Sequence, residues 1–190
     1  VVTSPVTTGL INDRLTAIGE GSAVRSVTIT SPASGTLAEL EVAPGDMIAA
    51  GATLGRLDSD AEQISFERAT LAEADAAAAL ARIRELANVN NATSVQVTAA
   101  ELAAKNAELE LQNAALALRK RTIISPIAGR VGLFQVSPGN AVTAQTVVTT
   151  VEDTSDILVS FWVPERYATA VSTGMALTAY AVALPGESIA

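Results

Sequence analysis

The chain has 190 residues, 49% of them hydrophobic and only 3% aromatic, with a formal net charge of −8. That length and apolar content exclude a disordered chain and allow one domain or two small ones, their cores built from Ala, Val, Leu and Ile. The acid excess, with no basic cluster beyond Arg119-Lys120-Arg121, excludes a face that wraps nucleic acid. The absence of histidine and cysteine excludes catalytic triads, thiol chemistry, disulfides and the usual zinc sites.

No stretch reaches the ~20 apolar residues of a membrane-spanning helix; the Ala76 to Ala81 run is closed by Arg82 and Arg84. The opening Val1-Val2-Thr3 carries no signal-peptide pattern, so an export signal or N-terminal membrane anchor is expected outside this chain.

In chain order, Val1 to Leu10, Arg14 to Ile18 and Val24 to Ile29 read as extended segments. An internal repeat follows. Ser31 to Asp58 and Ser125 to Glu152 align without a gap at an offset of 94 residues, identical at seven of 28 positions. The shared residues are mostly turn formers, Ser31/Ser125, Pro32/Pro126, Gly35/Gly129, Pro44/Pro138 and Gly45/Gly139. Between them run short apolar stretches, Leu37 to Val42 and Val131 to Val136, sized for strands. Each copy reads as a strand-turn-strand unit too small to bury a core alone, so the two are expected to pack face to face as halves of one β sandwich.

From Ser59 to Lys120 there is no Gly or Pro, and Ala, Leu, Glu and Gln dominate, which is helix composition. A first helix starts at Ser59, where Ser59-x-x-Glu62 reads as a capping box, and runs to about Ala87. Asn88-Val89-Asn90-Asn91 breaks it. A second helix begins between Thr93 and Thr98, with Thr98-x-x-Glu101 as another possible box, and ends near Lys120. Two such helices joined by a short turn fold back as an antiparallel hairpin extending ~40 Å.

Val97, Ala100, Ala104, Ala107, Leu111, Ala114 and Leu118 alternate by three and four as a coiled-coil seam; Phe66, Ala69, Glu73, Ala76, Leu80, Ile83 and Ala87 match it on the first helix. Acidic residues Asp58, Asp60 and Glu62 open one helix and Arg119, Lys120 and Arg121 close the other, so they face each other at the hairpin base. Leu102, Leu109 and Leu116 lie off the seam, where the functional reading is lateral packing on a neighbouring protomer and the plain one an incidental apolar face. Beyond Glu152, Ile157 to Val163 and Ala176 to Leu184 read as strands.

Split half-motifs with SP-x-x-G and V-x-PG turns around an alanine-rich hairpin, with Phe161-Trp162-Val163-Pro164-Glu165 after them, resemble the periplasmic adaptor or membrane fusion family, the HlyD-type proteins. Ile123 to Gly132 is similar to that family's second half-motif. The resemblance covers essentially the whole chain. It implies an elongated, multi-module α+β fold, a lipoyl-like barrel-sandwich hybrid split by an antiparallel helical (coiled-coil) hairpin. The halves would be residues 25–58 and 122–154, the hairpin 59–121, and residues 1–24 and 155–190 part of a β-barrel domain.

The resemblance also implies a role: a non-enzymatic adaptor in the periplasm, tied to the inner membrane. It would link an inner-membrane transporter, RND-type by preference, to an outer-membrane channel of TolC type, and self-associate as a trimer or hexamer ring. An adaptor of an ABC-type exporter or type I secretion system is the alternative. The hairpin tip would dock on the channel through Arg82, Leu86 and a hydroxyl at the start of the second helix, Thr93 by spacing, with Ser94 one residue later. Met47 and Met175, the only soft ligands, argue against a metal-handling pump. A lipoyl-like carrier or ligand-binding module is the remote reading. True carriers hold lipoyl or biotin on a lysine at the turn that the hairpin occupies here, and Lys105 and Lys120 lie on the helices, so no cofactor is expected.

Overall fold

A computed structural model describes residues 15–180 and 188–189. The strands are β1 (Gly19–Thr30), β2 (Gly35–Leu40), β3 (Met47–Ile48), β4 (Thr53–Leu57), β5 (Thr122–Ile124), β6 (Gly129–Val131), β7 (Ala141–Val142), β8 (Val147–Phe161), β9 (Ala179–Tyr180) and β10 (Ser188–Ile189). Helices α1 (Asp60–Asn88) and α2 (Ser94–Arg119) lie between β4 and β5, and a 3-10 helix spans Glu165–Ala170. Ala23–Asp156 forms one compact unit; the described residues up to Ser22 and from Ile157 onward belong to a second.

Two four-stranded sheets are ordered β1-β8-β6-β3 and β5-β4-β2-β7. Each takes two strands from each half of the repeat or its leading edge, so the halves do not face each other as separate units, as expected from the sequence; they exchange strands. The reason lies in the Pro-Gly turns. Gly45 and Gly139 hold φ of +93° and +89°, a left-handed conformation that glycine adopts without steric cost. Past them, β3 and β7 swing across to the other half, Met47 pairing with Arg130 and Gly35 with Val142.

The crossing is reciprocal. Gly45 N–H donates to the Val131 carbonyl at 2.8 Å, and Gly139 N–H to the Leu37 carbonyl at 2.7 Å. Ser31 N–H donates to Thr146 at 3.0 Å, and Ser125 N–H to Ala52 at 2.9 Å. All four contacts obey the repeat offset, which makes the module an internal pseudo-dyad. Buried Ser31 and Ser125 each donate a hydroxyl to the carbonyl two residues on, Ala33 at 2.6 Å and Ile127 at 2.7 Å. That satisfies a polar group which would otherwise be costly to bury.

The core obeys the same offset. Ile29 and Ile123, Leu37 and Val131, Leu54 and Val148, and Leu57 and Val151 are all buried in one cluster, with Val136 and Val142. Val42 and Ile48, the equivalents of those last two, pack against it half-buried. Fully burying each such side chain stabilises the fold by about 1.5–3 kcal/mol.

The helices pack on one another, and every seam residue named above is shielded while most of the intervening positions are exposed. Their start signals differ from expectation. Ser59 is the N-cap of α1 but makes no side-chain cap bond, and Glu62 turns instead to Arg121. The box expected at Thr98 is absent because α2 already begins at Ser94, capped by Thr93 and Gln96 in a reciprocal box, while Glu101 bonds Arg84 at 2.8 Å. Asn90, at φ +58°, turns the chain between the helices, as asparagine does at little cost.

In the second unit, the strand expected from Ile157 is the continuation of β8 to Phe161, after which Pro164 caps the 3-10 helix. Of the strand expected over Ala176 to Leu184, β9 covers Ala179–Tyr180, and β10 pairs with it antiparallel; residues 181–187 lie outside the described residues. Val24 to Ile29 falls within β1. Leu15 to Ile18 forms no strand, having no ladder partner among the described residues, and Val1 to Arg14 lies outside them.

Candidate docking site on the helical hairpin

Half of the hairpin's seam is alanine, beside Phe66, Leu80, Ile83, Val97, Leu111 and Leu118, and the seam of two helices is only partly shielded: Ala69 is the only buried residue of α1, and α2 has none. Other large apolar side chains lie off the seam. Two residues before a seam position, a helix has turned about 200°, onto its far side. Val95, Leu102, Leu109 and Leu116 each occupy that place on α2, and Ile64 and Leu71 occupy it on α1. All six are exposed, Leu102 at 63% and Leu71 at 73%. Each outer edge of the hairpin thus carries an apolar line. The α1 line was missed in the sequence, although the off-seam count that finds Leu102, Leu109 and Leu116 would have found it.

At the turn, Arg82 and Leu86 lie one helical turn apart on α1, both exposed, Leu86 at 44%. Arg82 makes no ion pair among the described residues. Thr93 and Ser94 stand at the start of α2, across the turn. They are not equivalent. The Thr93 hydroxyl is engaged in its own cap, accepting from Gln96 N–H at 3.3 Å, whereas the exposed Ser94 hydroxyl has no hydrogen bond among the described residues. Exposed Val89 and Val95 complete an apolar rim around the turn.

Between the turn and the base, one ion pair crosses from helix to helix and another lies within α2. Arg84 reaches Glu101 between the helices and Lys105 reaches Glu108 within α2 at 2.7 Å; both are exposed and worth little individually. No helix of the described residues is long and apolar enough to cross a membrane.

A strand-exchanged β module of two four-stranded sheets, opened between β4 and β5 by a helical hairpin, is the architecture of a barrel-sandwich hybrid. The family described as "RND MFP, barrel-sandwich hybrid domain" matches residues 25–154, and the chain belongs to it, among the membrane fusion proteins. It is similar to the multidrug resistance protein MdtA of Proteus mirabilis, 33% identical over 172 residues, which cover 80% of this chain and 41% of that protein. The chain thus spans about two fifths of the length of the curated relatives it matches. Among solved structures, a MacA–MexA chimera containing the Pseudomonas aeruginosa MexA α-hairpin domain shares the fold at TM-score 0.73 and 23% identity, over 80% of this chain and 56% of that one. The membrane fusion protein Spr0693 of Streptococcus pneumoniae R6 does so at TM-score 0.68 and 20% identity, over 92% of this chain and 81% of that one.

Proposed function

We propose that this chain is part of a periplasmic adaptor in a tripartite efflux system, a non-enzymatic subunit tied to the inner membrane. It couples an RND-type inner-membrane transporter to an outer-membrane channel of TolC type and self-associates as a ring of three or six copies. Residues 25–58 and 122–154 are the clasped halves of the lipoyl-like module, 59–121 the hairpin, and 1–24 with 155–190 a share of a β-barrel domain. Membership of an RND membrane fusion family and likeness to a multidrug resistance protein support the RND choice.

One observation carries the reading: besides the apolar side chains of its seam, the hairpin turns others outward, at its tip and along both edges. A two-helix rod that also keeps exposed leucines at its tip and along its outer edges is built to be covered by other proteins. The tip, with Arg82, Leu86 and Ser94, meets the channel; Leu102, Leu109 and Leu116 on one edge meet Ile64 and Leu71 of the neighbouring copy.

Photo-crosslinkers placed in cells at Arg82, Leu86, Thr93 and Ser94 are expected to capture the channel, and those at Leu102 and Leu109 a second copy of the adaptor. Absence of any channel adduct from all four tip positions removes the docking assignment. Leu86→Asp is expected to abolish drug resistance with helical content by circular dichroism unchanged; loss of both together would make Leu86 a core residue instead.

A further inference from the structure

The base of the hairpin converges on one side chain. Arg121 sits between α2 and β5, and its Nη2 donates to Glu62 Oε1 in the first turn of α1 at 2.5 Å while its Nη1 donates to the Ser34 carbonyl at 2.8 Å. Its own carbonyl accepts the Leu57 N–H, at the end of β4, at 2.8 Å. The outgoing strand, the first helix, the last helix and the loop before β2 therefore all meet at this residue.

This contact differs in kind from the other ion pairs among the described residues. Both partners are 20% exposed, whereas the cations of the other pairs among the described residues, Arg25–Asp153, Arg56–Glu41, Arg84–Glu101 and Lys105–Glu108, are 57–66% exposed. A shielded guanidinium fork with two acceptors in different directions specifies orientation, which a screened surface pair does not. Room for it is left by Gly35, where a Cβ would come within 2.6 Å of Nη1.

We infer that Arg121 is a positioning residue: its clasp on Glu62 and Ser34 fixes the direction in which the hairpin leaves the β module. The leverage is large. α1 has 29 residues, a rod of ~43 Å, so a swing of about 10° at its base displaces the far end by about 7 Å. The consequence for transport rests on the adaptor reading above; the clasp itself does not.

The test uses the full-length protein with spin labels at Glu85→Cys, near the far end of α1, and Ser137→Cys, in the β module; no native cysteine occurs in these 190 residues. Distance distributions from double electron–electron resonance are expected to be narrow in the parent and in Arg84→Gln, which breaks an exposed bridge higher up the hairpin. In Arg121→Gln and Arg121→Lys they are expected to broaden by about 5–10 Å, the displacement of such a rod for a swing of that order. Gly35→Ala keeps every charge, displaces Nη1 and is expected to broaden the distribution as well. It gives the answer should Arg121→Gln fail to fold. A distribution unchanged in a folded Arg121→Gln or Gly35→Ala overturns the inference. Broadening with transport undiminished in cells upholds the clasp and counts instead against the adaptor reading, which requires rigid reach.

Discussion

Gly35 and Gly129 occupy the same place in the two halves of the repeat, yet alanine at the two positions is expected to have very different consequences. At Gly129 a Cβ would stand 2.3 Å from the Glu152 carbonyl oxygen, 2.7 Å from its carbon and 3.1 Å from Asp153 N, all backbone atoms of β8. Ordinary contact begins near 3.4 Å, so β6 must withdraw from its partner strand by more than an ångström. Overpacking of that kind costs about 1–3 kcal/mol, and loss of one or two ladder bonds adds about 1 kcal/mol each, so Gly129→Ala is expected to lose about 2–5 kcal/mol. At Gly35 the only close atom is Arg121 Nη1, at 2.6 Å, with the next at 3.9 Å. A guanidinium tip can move, so Gly35→Ala loses at most the Ser34 contact, about 0.5–1.5 kcal/mol. Urea unfolding followed by circular dichroism compares the two. Equal midpoints, or the larger loss at Gly35, would refute the argument that backbone proximity, not the shared glycine, sets the cost.

Leu37→Ala, at a fully buried site, is expected to cost about 2–5 kcal/mol, whereas Leu133→Ser, 80% exposed, is expected to leave the unfolding midpoint unchanged. Thr93→Ala removes a reciprocal cap and is expected to cost about 1 kcal/mol; Ser59→Ala removes no cap bond and is expected to leave helicity by circular dichroism as it was. Hydrogen bonds from the Ser155 hydroxyl and N–H, ahead of the nearby Arg25 guanidinium, hold the Asp153 carboxyl below the usual carboxylate range. The stability this contributes is present above the ordinary aspartate pKa and is lost as pH falls through the lowered one. Ser155→Ala is therefore expected to move the Asp153 titration upward, as read by carboxyl NMR; an unmoved titration would assign the shift to Arg25.

What could be read along the chain was whatever depends on local periodicity. The repeat offset, the turns at Pro44-Gly45 and Pro138-Gly139, the helical block and its seam from Phe66 to Leu118 follow from spacing alone, because a helix face and a turn are set by residues within a few positions of each other. The outward Leu102, Leu109 and Leu116 followed from the same count.

Other features depended on neighbours distant in sequence. Serine with glutamate three residues on looks like a cap at Ser59 as much as at any helix start; only the arrival of Arg121, 59 residues later, draws Glu62 away. Two identical glycines acquire different reasons to be glycine, one facing a carbonyl and the other a guanidinium. Above all, the repeat by itself determined that two equivalent halves share one core, while the folded chain decided that they share it by exchanging strands. Side-chain alternation marks which face of a strand is buried, whereas which strand it lies beside is chosen by long-range hydrogen bonds such as those from Gly45 to Val131 and from Gly139 to Leu37.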